Sequence, residues 1–255
     1  MFGIETRYLS FFFGLVSILS FFNIIYSYYL NLYLNLDTYY LSFFCSLVIS
    51  ILFYNLKFEQ KRLTIFNKIL TVFVGYIFIP LVLSIPFYFS IYNLTLLNSF
   101  FEAISGFTST GFTIFDNIKH IDQSLILWRS STQWIGGLYF LFSIIFLIDI
   151  YDENFKKTLT NFISFDSSEI FKQAIKIFLL YSVLTLIIFI ILNIFSIRTF
   201  DSLNLAFSLI SSGGFLPVND LSIILKENSQ VIITSLLMLT SFFSIFFSYN
   251  LVFFK

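Results

Sequence analysis

Two stretches of this chain decide its fold: residues 98–116, NSFFEAISGFTSTGFTIFD, and residues 201–219, DSLNLAFSLISSGGFLPVN. Laid over one another without a gap, they share serine at 99/202, alanine at 103/206, serine at 105/208, serine at 109/212, glycine at 111/214 and phenylalanine at 112/215. Each lies between two long apolar segments, and each holds a hydroxyl-rich turn with a glycine in the same place. A polar turn of this kind stands at membrane depth only if it is shielded from lipid and borders something hydrated. A single Ser-x-Gly-Phe turn reads as an ordinary interfacial turn, where Gly and Ser are common. Two copies in the same topological place argue for a built feature, the shape of one quarter of an ion-selectivity filter seen twice.

Composition points to a membrane solvent independently. Of 255 residues, 58% are hydrophobic and 11% charged, and the apolar residues come in runs long enough to cross a hydrocarbon core of roughly 30 Å. The 14 basic and 14 acidic residues cancel, which leaves no global field to attract nucleic acid. Cys45 is the single cysteine and His120 the single histidine, so neither an intrachain disulfide nor a Cys/His zinc site can form. With no nucleophile elbow or metalloprotease motif either, the residues do not describe an enzyme. The 39 phenylalanines are read as compositional bias and carry no function.

The pattern predicts an all-α integral membrane protein with six transmembrane helices and two re-entrant pore helices. The spans are expected at about 8–34, 38–56, 63–88, 125–148, 170–195 and 231–253, each near or above the ~20 residues that crossing requires. Residues 96–107 and 202–210 are too short to span and read as pore helices that return through the glycine turns. The first segment is too long for a secretory signal and lacks a small-residue cleavage site, so it is expected to remain. Pro80 and Pro86 are expected to kink the third helix. With the amino terminus in the cytoplasm, Arg7, Lys57, Lys61, Arg62, Lys68, Lys156, Lys157, Lys172, Lys176 and Lys255 fall inside, and Lys119, Arg129, Arg198 and Lys226 fall outside. That asymmetry follows the positive-inside rule and returns the carboxyl terminus to the cytoplasm. The expected organisation is an amino-terminal helical hairpin (1–56), a first helix–pore–helix unit (57–150) and a second (151–255). Their like topology relates them by an axis along the membrane normal, with the filter on that axis.

Three stretches, FFEAISGFTSTGFT at 100–113, LWRSSTQWIGG at 127–137 and SSGGF at 211–215, resemble the Trk/Ktr/HKT superfamily of potassium transporters, specifically its bacterial TrkH/KtrB-like membrane subunits. The resemblance covers nearly the whole chain, and Trp128, Arg129, Gln133, Trp134, Gly136 and Gly137 are its most specific part. It implies a potassium filter formed by Thr108, Ser109, Thr110, Gly111 and Phe112 with Ser211, Ser212, Gly213, Gly214 and Phe215. There, inward carbonyls replace water around a dehydrated cation, and glycine permits the φ values that aim them. Glu102, an intramembrane carboxylate, is read as a buried strut behind the filter or a source of cation-attracting potential. Arg129 reads as an anchor to a carboxylate or to pore-helix carbonyls, or as a snorkelling side chain. Gln133 supports the filter, while Gly136 and Gly137 permit close helix packing.

The family has four pore units around one pore, and two are visible here. The resemblance therefore implies a partner, either a carboxyl-terminal half or a second copy of the chain. It also implies a cytoplasmic TrkA/KtrA-like nucleotide-binding subunit at inner loops such as 151–169, and a place in the bacterial inner membrane. K⁺ is the implied transported ion, with no bound cofactor; glycine in both turns favours it, because serine at the first glycine accompanies Na⁺ preference in related plant proteins. The alternatives are Na⁺ or mixed-cation transport, or a truncated, non-conducting remnant or assembly protein.

Overall fold

The computed structural model describes residues 4–56, 65–147 and 167–239, and those residues are helical with connecting turns. In chain order the α-helices are α1 (Thr6–Tyr29), α2 (Leu36–Asn55), α3 (Ile65–Leu83), α4 (Ile85–Tyr88), α5 (Leu96–Phe107), α6 (Gln123–Leu147), α7 (Ser167–Ile194), α8 (Thr199–Ile210) and α9 (Asn228–Leu239). Lys57, Lys61, Arg62, Lys156, Lys157, Lys255 and most of the 151–169 loop lie outside the described residues, as does the sixth span beyond Leu239.

The first helix ends earlier than apolarity alone suggests. Asn31 takes a left-handed conformation (φ 56°), and Leu32 N–H donates to the Ser27 carbonyl at 2.8 Å. That is a helix-closing geometry in which Asn substitutes for Gly. α2 then runs back along α1, and serines meet across the pair: Ser20 bonds to Ser42 (3.1 Å), and Ser10 to the Ser50 carbonyl (2.8 Å). Small hydroxyl residues let two helices approach closely where water exerts no hydrophobic drive.

The third helix is interrupted at a single residue, Ser84, which keeps a helical conformation and whose N–H donates to the Pro80 carbonyl at 2.9 Å. Pro80 lies inside α3, and the helix stops at Leu83 and restarts after Ser84 as the short α4, which carries Pro86 in its first turn. Proline removes a ladder N–H and crowds the preceding turn. At the break the Leu83 carbonyl accepts from the Trp128 indole N–H at 3.0 Å, so the interruption becomes an attachment point for α6.

Among the described residues, four helical stretches are long and apolar enough to cross a membrane: Thr6–Tyr29, Leu36–Asn55, Phe66–Tyr88 and Ile175–Ile194. α6 has the length, 25 residues, but its middle is polar. The reason is position, because every residue from 124 to 139 is buried. α1, α3, α4, α5, α7 and α8 all pack on it. A helix sheathed in protein is free of the apolarity that lipid imposes, and the polar groups of 129–133 satisfy one another and their neighbours.

Candidate functional site: two glycine turns held by one buried helix

The short helices α5 and α8, expected to be pore helices, are each 12 residues long, and their carboxyl ends are built alike. Thr108 and Ser211 hydroxyls both bond the carbonyl four residues back, Ile104 and Phe207, at 2.8 Å. Ser109 and Ser212, one residue on, take left-handed conformations (φ 55° and 54°). Their N–H groups donate to Gly106 and Leu209 (2.9 and 3.2 Å), and the N–H groups of Thr110 and Gly213 reach back to Ser105 and Ser208 (3.0 and 2.8 Å). Each helix is thus closed by the same pair of bonds, and each turn leaves along the same path. The negative end of each helix dipole points at its turn, a field that favours a cation.

The left-handed residue of each turn is therefore serine. Gly111 is also left-handed (φ 78°), but Gly214 is absent from the positive-φ residues. What the two glycines share is proximity. A Cβ on Gly111 would lie 2.7 Å from the Gly214 Cα, and one on Gly214 would lie 3.3 Å from the Gly111 Cα. The two turns touch backbone to backbone, and a side chain would force them apart.

Behind the turns lies a buried ion pair. Arg129 Nε meets Glu102 Oε1 at 2.7 Å, and both side chains are sealed from solvent (1% and 0% exposed). Arg129 is therefore an anchor and not a snorkelling side chain. Glu102 accepts from the Thr113 hydroxyl (3.0 Å) and the Ile114 N–H (3.1 Å), which pins the limb leaving the first turn. Arg129 Nη2 donates to Thr113 Oγ1 (3.1 Å), and Nη1 approaches the Leu216 carbonyl (3.5 Å). Thr113 and Leu216 are aligned positions of the two stretches, so one guanidinium bridges equivalent points on both. It also stacks over Phe215, 4.3 Å from the ring centroid, a cation–π contact strengthened by exclusion of water.

Gln133, one turn further along α6, holds the second turn directly. In the amide orientation that satisfies both ends, Oε1 accepts from the N–H groups of Gly214 (2.8 Å) and Phe215 (2.9 Å), and Nε2 donates to Ser208 Oγ (3.2 Å). Gly136 and Gly137 complete the pattern. A Cβ on Gly136 would overlap the Phe107 carbonyl at the end of α5, and one on Gly137 would sit 2.7 Å from Ser211 Cβ at the end of α8. Adjacent glycines thus admit one pore-helix end each. Ser130 bonds to Asn204 of α8 (2.6 Å) and Trp134 to Thr185 of α7 (3.0 Å). Trp128, Arg129, Ser130, Gln133 and Trp134 each serve a different neighbour, which is why so many special residue types stand close together.

Thr113 and the aligned serines 105/208 were not among the expected site residues. The serines are visible in the alignment, but they close the helices through backbone carbonyls that no residue pattern advertises, while their hydroxyls bond the Phe112 carbonyl (2.6 Å) and the Gln133 amide (3.2 Å). At the mouth, Asn219 accepts from Ile118 N–H (2.7 Å) and donates to Asn117 (3.1 Å), tying the loops that follow the two turns. Among the described residues no cluster of His, Cys, Asp and Glu that could hold a metal occurs.

Fold and site together define an all-helical membrane protein in which two like-built glycine turns meet against one buried helix. Comparison with known proteins bears out the resemblance to the Trk/Ktr/HKT superfamily. The chain is 25% identical over 165 residues to an uncharacterised cation transporter of Methanocaldococcus jannaschii, covering 61% of this chain and 33% of that protein. It is 27% identical over 139 residues to the Trk system potassium uptake protein TrkH of Salmonella typhimurium (52% and 29% covered). It is 42% identical over 60 residues to TrkI of Halomonas elongata (24% and 11% covered). The crystal structure of the potassium transporter TrkH from Vibrio parahaemolyticus has the same fold, with a TM-score of 0.76 at 19% identity over 92% of this chain. The chain spans 48% of that protein, about half its length. No protein-family model matches the sequence.

Proposed function

We propose that this chain is a translocation subunit for potassium uptake, in which the turns at 108–112 and 211–215 form two sides of a K⁺ filter. The observation that carries this reading is the pair of like-built turns, closed by the same hydrogen bonds and meeting at Gly111 and Gly214. Dehydrated K⁺ would be coordinated by backbone carbonyls of these turns, aided by the Thr108 and Ser211 hydroxyls, and no covalent chemistry is involved. The organisation into a hairpin (1–56) and two units (57–150 and 151–255) belongs to the same proposal. So do further pore units on another polypeptide, and docking of a nucleotide-binding regulatory subunit at 151–169.

The test is K⁺-limited growth and Rb⁺ uptake in a bacterial host lacking its own K⁺ uptake systems, with and without co-expressed Trk components. Growth restored by the chain, and Rb⁺ uptake inhibited by K⁺ in preference to Na⁺, is expected. A well-inserted chain that supports no cation flux with every such component would be a non-conducting protein.

The proposed orientation puts both termini in the cytoplasm and the turns toward the outside. Lys119 and Lys226 are exposed and fall on the outer side. In a Cys45→Ala background, Lys119→Cys and Lys226→Cys are expected to react with an impermeant thiol reagent in intact cells. Reaction only after permeabilisation would reverse the orientation.

A further inference from the structure

Three basic side chains that the site does not use converge at the end of the bundle where α1 and α7 finish and α6 begins. Lys119 lies on the loop after the first turn, Arg198 between α7 and α8, and Lys226 on the loop after the second turn, yet all three line one cavity of about 480 Å³. All three are exposed, and among the described residues neither lysine has an ion-pair partner. Asp201 is the one acidic residue of the lining, and it stands 3.8 Å from Arg198. His120, Asp116, Asp122, Asp220 and Glu227, the other titratable residues of these loops, are outside the lining. Three of those carboxylates are bonded elsewhere, to Asn35, the Ser222 N–H and the Ser229 hydroxyl. The cavity therefore keeps an excess of positive charge. The start of α8 adds to it: Arg198 is the cap residue and makes no side-chain cap bond, so the positive end of the helix opens beside the cavity.

The rest of the wall is largely apolar, with Ile126, Ile197, Phe200, Pro217, Val218 and Ile223. A bare inorganic anion gains nothing from such a wall, and the volume falls in the roughly 300–1,000 Å³ range of sites for larger molecules. The depth is that of lipid headgroups. Tyr26, near the end of α1, stacks on Phe200 with ring centroids 6.3 Å apart, and Tyr28, Tyr29 and Tyr33 stand exposed just beyond it. Tyrosines gather where a membrane meets water. Asn23 of the same helix end donates to the Ser124 carbonyl (3.2 Å), beside the cavity residue Gln123, which ties this level to the cavity.

We propose that the cavity binds the phosphate of an anionic phospholipid, held by Lys119, Arg198 and Lys226, with the glycerol and upper acyl carbons against the apolar wall. A zwitterionic lipid brings a cation of its own into a site that already has three, so the site selects for net negative charge. The bound lipid spans the loops after both turns, next to the point where Asn219 joins them, and reaches α6 and α8 as well. This holds whichever ion passes the turns.

The full chain, purified in mild detergent, is titrated with phosphatidylglycerol, phosphatidylethanolamine or inorganic phosphate and weighed intact by native mass spectrometry. One phosphatidylglycerol is expected to bind about tenfold more tightly than phosphatidylethanolamine, through attraction of the basic groups to its headgroup. The variant Lys119→Gln/Arg198→Gln/Lys226→Gln is expected to lose that preference, and each single change to lower it in part, which keeps the test open should the triple variant fail to fold. Arg7→Gln/Lys176→Gln removes two exposed basic residues outside the cavity and should leave the preference intact. Equal binding of the two lipids, a preference that survives all three changes, or its equal loss in the Arg7/Lys176 variant would overturn the proposal. Displacement of phosphatidylglycerol by millimolar inorganic phosphate would overturn the lipid as the source and assign the cavity to a free anion.

Discussion

Arg129→Met is expected to leave little folded protein. The substitution keeps the length of the stem but strands the Glu102 carboxylate, which is 0% exposed, beside two donors that do not neutralise it. Breaking a buried pair by removing one partner costs about 3–5 kcal/mol, a large share of the roughly 5–15 kcal/mol that separates folded from unfolded domains. The loss also falls on both turns, since the guanidinium reaches Thr113 on one side and Leu216 and Phe215 on the other. The informative comparison is the double variant Glu102→Gln/Arg129→Met, which removes both charges and is expected to recover much of the yield. The measurement is the amount of monodisperse protein on gel filtration and the midpoint of thermal unfolding in detergent. A single variant as stable as the parent would show that the pair does not hold the two limbs together.

Gly111→Ser is expected to have the second large effect, and a larger one than Gly214→Ser. At Gly111 a side chain meets two obstacles. The left-handed backbone (φ 78°) costs a non-glycine residue about 1–2 kcal/mol, and the new Cβ would lie 2.7 Å from backbone that cannot swing aside. At Gly214 there is no left-handed φ, and the tightest contact is 3.3 Å. If these turns coordinate the ion, Gly111→Ser should lower K⁺/Na⁺ discrimination by about tenfold, which corresponds to ~1.4 kcal/mol of differential binding. Gly214→Ser should lower it less. The ratio of Rb⁺ to Na⁺ uptake, normalised to protein in the membrane, reads this directly. Equal effects at the two glycines, or unchanged discrimination at Gly111, would place the ion elsewhere. Gly136→Ser does not serve as a packing control remote from the turns, because Gly136 abuts Phe107 at the base of the first one.

The turns were legible in the sequence because a duplicated stretch states its own importance, and the apolar runs state the solvent. The bounds of α5 follow directly from length and polarity. Other features lie beyond a one-dimensional pattern. Glycine was expected to take the unusual backbone, and Gly111 does, but Gly214 does not, while Ser109 and Ser212 take it as well, and only the closing bonds to 106/209 and 105/208 explain the serines. Glu102 and Arg129 each had several open readings; they are separated by 27 positions, and nothing local says that they meet. α6 looked like one span among six, and only its envelopment by six other helices accounts for five polar residues in its middle. The third helix was expected to bend at its prolines, but the break at Ser84 matters because Trp128 fastens to the carbonyl beside it.

Leu205 stands where Glu102 stands in the other copy and is just as deeply buried (2% exposed). Because Arg129 already reaches across to the second limb, that copy does without a carboxylate of its own. A symmetrical sequence would have set two negative charges on one guanidinium. The structure has resolved its duplication by sharing: a single charged keystone serves two arches, and divergence between the repeats is a condition of their standing together.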